Sequence, residues 1–131
     1  MSGGATPTSS DRKLILVVDD DPNIRTIIAR ALSPKYDIRQ AGDGLAAADE
    51  LAKLPCPDPI ILDIMMPQAD GLSFATAAKA NPKYKSIPIL FLTARTAPGD
   101  IVKGIQAGAR GYLTKPFKIE VLREKVTKVL G

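Results

Sequence analysis

Four apolar runs in this chain each end in a side chain capable of chemistry. "LILVVDDD" ends in Asp19, Asp20 and Asp21, "IILD" in Asp63, "ILFLT" in Thr93 and "GYLTK" in Lys115. Crowded carboxylates repel one another. At about 4 Å, two unit charges cost on the order of 4 kcal/mol at an effective dielectric of 20. The chain has no histidine and one cysteine, Cys56. That composition removes histidine-based triads, histidine metal ligands and an intrachain disulfide. Carboxylates without imidazole or thiolate partners suit a hard, oxygen-seeking cation, and Mg²⁺ is the usual one where phosphate is handled. A carboxylate held beside such a cation can attack phosphorus. A lysine supplies a mobile positive charge for phosphate oxygens, and a threonine hydroxyl can donate to one of them. Together these parts describe phosphoryl transfer to a carboxylate.

Such residues act together only if the fold converges them. The sequence alternates continuous apolar runs with helical periods. "KLILVV" reads as a parallel strand covered on both faces. In "DPNIRTIIARALSP", Ile24, Ile27, Ile28, Ala31 and Leu32 share one helical face. Asp21 suits the N-cap, Pro22 the first helical position, and Pro34 marks the end. "YDIRQ", "IILD", "IPILFLT" and "RGYLT" read as further strands. "DGLAAADELAKL", "GLSFATAAKAN", "PGDIVKGIQAG" and "KIEVLREKVTKVL" read as further helices. The last carries Ile119, Leu122, Val126 and Val129 on one side. Five strand–helix units imply a parallel sheet with helices on both faces. In such sheets ligands bind beyond the carboxyl ends of the strands, which is where Asp19, Asp20, Asp63, Thr93 and Lys115 fall.

The 131 residues suit one domain. Residues 1–12 read as a flexible polar tail, and residues 13–131 as the folded domain. No apolar run is long enough to cross a bilayer, and "MSGGATPTSSDRK" has no apolar signal segment. One cysteine fits a reducing cytoplasm. The net charge of +4 raises the question of nucleic acid. Yet the basic residues interleave with acids, and there is no tryptophan and few other aromatic residues to stack on bases. Solvated helix faces account for them.

"LVVDDDPNIR", "IILDIMMPQADG", "LFLTAR" and "GYLTKPF" resemble, in order and spacing, the signature segments of the receiver domain of bacterial two-component response regulators. The resemblance runs from about Lys13 to Leu130. It implies a flavodoxin-like, doubly wound sheet of five parallel strands in the order 2-1-3-4-5, with five helices. It implies Asp63 as phosphoacceptor, taking a phosphoryl group from a sensor histidine kinase or a histidine phosphotransfer protein. Asp20 would bind Mg²⁺ directly, Asp19 mainly through water, and Met65 through its backbone carbonyl. Thr93 and Lys115 would contact the phosphoryl group. Thr93 and Tyr112 would form the switch, and Lys115–Pro116 would be a cis peptide bond. Met65 and Arg95 would tune phosphoryl lifetime. The face of the fourth helix, fifth strand and fifth helix would then control a downstream protein target, without direct contact to nucleic acid or membrane. A chain of this kind modifies itself and is not an enzyme in the turnover sense. No output domain follows within this sequence, so it either acts by protein contact or belongs to a longer regulator.

Three other readings compete. "GDGLAA" matches a dinucleotide fingerprint, but it follows the second strand and would turn Asp43 toward a pyrophosphate. "DDD" contains the D-x-D of haloacid-dehalogenase-type phosphatases, with Asp19 as nucleophile and Asp21 as general acid. The late acidic pair of that family has no counterpart here beyond Glu120 and Glu124 on a helix. A binding module with a receiver fold but no phosphorylation is the third, and the filled active-site positions weigh against it.

Overall fold

The computed structural model describes residues 12–64, 71–93 and 109–130. Five parallel strands form one sheet in the order β2-β1-β3-β4-β5. They are β1 (Leu14–Val18), β2 (Asp37–Ala41), β3 (Ile60–Asp63), β4 (Ile89–Thr93) and β5 (Ala109–Thr114). The three central strands, β1, β3 and β4, are buried along their whole length. Their sequences are continuous apolar runs because both faces are covered.

Four helices lie among the described residues: α1 (Pro22–Leu32), α2 (Gly44–Ala52), α3 (Gly71–Ala80) and the C-terminal α4 (Ile119–Leu130). The segment expected to form a further helix, residues 98–108, lies outside them. α1 and α4 cover one face of the sheet, where Ile28, Leu32, Leu122 and Val126 meet Ile15, Val17, Ile61 and Leu90. α2 and α3 cover the other, where Ala47, Leu51, Phe74 and Ala75 meet Leu16, Leu62 and Phe91.

Local chemistry sets the helix starts. Asp21 caps α1, accepting from the Asn23 amide at 2.9 Å, with Pro22 at the first helical position. Asp43 caps α2 by accepting from the Ala46 amide at 2.8 Å. One expectation fails on α1. Ile27 is 45% exposed, whereas Ile28, Ala31 and Leu32 are buried and Ile24 packs partly against them. At about 100° per residue, the apolar stripe is wider than the contact with sheet and α4, and Ile27 falls on its solvent edge.

Gly71 opens α3 where no larger residue fits. Its amide donates to Ile64 O at 3.0 Å, and a Cβ would stand 2.0 Å from the Asp63 carbonyl oxygen. The helix therefore starts directly against the backbone of the strand end that carries Asp63. Arg12 donates to the carbonyls of Ser33 and Tyr36 beyond α1. The residues before it are outside the description. Lys115–Pro116 is cis as expected, and Leu54–Pro55 is cis as well.

Candidate phosphoacceptor and metal site

The sheet order reverses direction between β1 and β3, so the crevice beyond their carboxyl ends is the switch point of the fold. Val18 pairs with Leu62, which sets Asp19 and Asp63 side by side one residue further on. Carboxylate oxygens of Asp19, Asp20 and Asp63 all lie within 4.8 Å of one another. Asp19 and Asp63 are buried and Asp20 is exposed.

Lys115 reaches this cluster from the end of β5. Its ammonium lies 2.6 Å from Asp19 Oδ2 and donates to Asp63 Oδ2 at 3.2 Å. Burial pulls the Lys115 pKa down. The closer carboxylate, Asp19, and then Asp63 outweigh that and hold it above its ordinary value. The Lys115 ammonium is thus the charged partner of the fully buried Asp19 Oδ2. Three carboxylates against one ammonium leave the cluster with excess negative charge. Three convergent carboxylate oxygens, from two buried aspartates and one exposed one, are the donor set a small hard cation takes. Thr93 is buried at the end of β4, and its carbonyl accepts from the Lys115 amide at 2.7 Å. Tyr112 is half-buried on β5 and stacks on Phe91 with centroids 5.9 Å apart. Met65 and Arg95 lie outside the described residues.

The structure thus brings Asp19, Asp20, Asp63 and Lys115 together and sets Thr93 beside Lys115 through the backbone. Two competing readings lose their residues to other work. Asp21, the general acid of the phosphatase reading, is the N-cap of α1. Asp43 fills the N-terminus of α2 that a pyrophosphate would need. Sequence reasoning missed Arg25. Its guanidinium donates to the Asp19 carbonyl at 2.7 Å and, through Nε, to Gln40 Oε1 at 3.3 Å. Its place six residues after Asp19, one and a half turns along with the cap, was the available signal.

A five-stranded parallel sheet of this order, with an acidic cluster and a lysine at its switch point, defines a flavodoxin-like signalling domain. The model of the response regulator receiver domain matches residues 15–127, and the chain belongs to that family. It is 41% identical over 117 residues to the response regulator MprA of Mycobacterium avium, covering 88% of this chain and 50% of that protein. It is 37% identical to the DNA-binding dual master transcriptional regulator RpaA of Synechocystis, covering 88% of this chain and 48% of RpaA. The chain thus spans about half the length of the curated relatives it matches. Among solved structures, the chemotaxis protein CheY4 of Vibrio cholerae aligns with a TM-score of 0.86 at 36% identity, covering 91% of this chain and 99% of that one. No helix among the described residues is long and apolar enough to cross a membrane.

Proposed function

We propose that this receiver domain is a phosphorylation-activated switch with Asp63 as the phosphoacceptor. One observation carries the reading: Asp63 sits at the end of β3, hydrogen-bonded by Lys115 and within 4.8 Å of the Asp19 and Asp20 carboxylates. An Asp63 carboxylate oxygen attacks the phosphorus of a phosphohistidine on a sensor kinase or phosphotransfer protein. The P–O bond forms as the P–N bond breaks, and the electron pair leaves with the imidazole. Asp19, Asp20, Asp63 and the Met65 carbonyl would hold Mg²⁺, which supplies positive charge to the transferred oxygens when bound. Lys115 moves from a carboxylate partner to a phosphoryl oxygen, and the Thr93 hydroxyl donates to another.

The product carries roughly −1.5 to −2 charges where Asp63 had one. That local change biases Thr93 and Tyr112, and with them the face of the helix expected before β5, β5 itself and the C-terminal α4, between two populated states. The face then binds or releases a downstream protein. The domain catalyses its own modification and its reversal only, acts in the cytoplasm, and touches neither nucleic acid nor membrane itself. The receiver domain, residues 13–131, is the working unit. A longer regulator of the MprA or RpaA kind would place an output domain beyond it.

Incubation with Mg²⁺ and acetyl phosphate, followed by intact mass, tests the reading. One added phosphoryl group is expected, dependent on Mg²⁺ and absent from Asp63→Asn. Labelling that survives in Asp63→Asn and disappears in Asp19→Asn would move the nucleophile to Asp19. No labelling of the wild type would leave a binding module.

A further inference from the structure

We infer that Arg25 is a positioning residue for the cation site: it fixes the Asp19–Asp20 peptide so that the Asp20 carboxylate faces the cation. The inference rests on the Mg²⁺ reading above and adds a residue to it. Asp19 is held at every polar atom. Its amide donates to Ala41 O at 3.1 Å, Oδ1 accepts from the Asp21 amide at 2.9 Å, Oδ2 meets Lys115 at 2.6 Å, and its carbonyl accepts from Arg25 at 2.7 Å. Asp20 is the opposite case. It is exposed, and its carboxylate makes no hydrogen bond or ion pair with a described residue. Its direction therefore depends on the backbone that carries it, and the Asp19 carbonyl belongs to the same peptide plane as the Asp20 amide.

The clamp is itself supported. Arg25 stands in the first turns of α1, its Nε bonds Gln40 Oε1 at the end of β2 at 3.3 Å, and a Cβ on Gly42 would come within 3.3 Å of the guanidinium. The side chain thus ties β1, β2 and α1 together at one point behind the acids. The planar guanidinium makes the two bonds from two nitrogens at a fixed spacing, whereas a lysine has a single donor nitrogen.

Two roles for Arg25 predict opposite signs. A guanidinium near the site acting only as a positive charge repels a cation, so its removal would tighten Mg²⁺ binding. A guanidinium acting as a clamp aids the site, so its removal would weaken binding. Groups that orient metal ligands from behind typically contribute 10–100-fold to affinity. Titration calorimetry with MgCl₂ on unphosphorylated protein separates the two. Arg25→Gln is expected to raise the Kd for Mg²⁺ about tenfold, and Arg25→Lys by less, since one bond to the Asp19 carbonyl can survive. In the acetyl phosphate reaction, the Mg²⁺ concentration for half-maximal rate shifts in step. Gln40→Ala, remote from the acids, gives a smaller shift in the same direction and serves if Arg25→Gln does not fold. An unchanged or lowered Kd in Arg25→Gln, or in Arg25→Lys and Gln40→Ala together, overturns the inference. A wild type that binds no Mg²⁺ overturns the underlying metal reading instead.

Discussion

Neutralising Asp63 should stabilise the metal-free protein. The Asp63 carboxylate lies within 4.8 Å of those of Asp19 and Asp20. Each such pair repels by about 3.5 kcal/mol at an effective dielectric of 20. Against this stands the attraction to Lys115 at 3.2 Å, of about 5 kcal/mol on the same scale. Counting these three charged groups, Asp63→Asn removes about 2 kcal/mol more repulsion than attraction. Screening of the exposed Asp20 lowers it to roughly 1–2 kcal/mol. For a domain of this size that is a rise in Tm of roughly 3–8 °C. Asp19→Asn should not share the gain, because its attraction to Lys115 acts at 2.6 Å and its Oδ1 also holds the Asp21 amide. Mg²⁺ should reverse the order. At a hundred times its Kd a ligand contributes about 2.7 kcal/mol, more than that gain, and the full donor set belongs to the wild type. The assay is urea unfolding of wild type, Asp63→Asn and Asp19→Asn, with EDTA and again with excess Mg²⁺. If Asp63→Asn unfolds at lower urea than wild type in EDTA, the lysine attraction outweighs the repulsion and the picture of a frustrated cluster is wrong.

Other outcomes follow from the same geometry. Gly71→Ala puts a Cβ 2.0 Å from the Asp63 carbonyl oxygen, so α3 or the β3 end must move. A loss of about 3 kcal/mol in urea unfolding and a slower acetyl phosphate reaction are expected together. Leu16→Ala, fully buried in the central strand, should cost about 3–4 kcal/mol in the same assay, with phosphorylation of the folded fraction unchanged. Lys115 is held above its ordinary pKa of 10.5, so the native state binds its proton more tightly than the unfolded chain. Its contribution is complete below pH 10.5 and lost as pH rises through the folded value. Metal-free Lys115→Met should start less stable than wild type at neutral pH and decline less steeply above that range, read by thermal melts across pH.

Much of the positioning was legible in the sequence, for physical reasons. Continuous apolar runs mark strands covered on both faces, and "IILD" is β3 residue for residue. Asp21 and Pro22 set the start of α1 through local hydrogen bonding and a fixed φ, both of which are sequence properties. Asp19, Asp63 and Lys115 were legible because parallel strands put successive strand ends on one edge. What escaped depends on partners distant in sequence. Arg25 looks like any polar helix residue until the helix is laid over the β1 and β2 ends. Asp58, whose carboxylate accepts from the Leu14 amide at 2.7 Å, is hidden in a proline-rich loop for the same reason. Lys79, which donates to the carbonyls of Lys85 and Ile87, reads in the sequence as a solvated helix charge. Ile27 fails differently: periodicity gives the direction of the apolar stripe but not how wide a surface waits to cover it.

The most direct test of the central claim locates the phosphoryl group chemically. Protein treated with Mg²⁺ and acetyl phosphate is reduced with borohydride, which converts an acyl phosphate on aspartate to homoserine, and the peptides are sequenced by mass. Homoserine at position 63 and at no other aspartate is the predicted result. Homoserine at Asp19 or Asp20, or none in protein that has gained phosphoryl mass, would contradict the assignment of Asp63 as the acceptor.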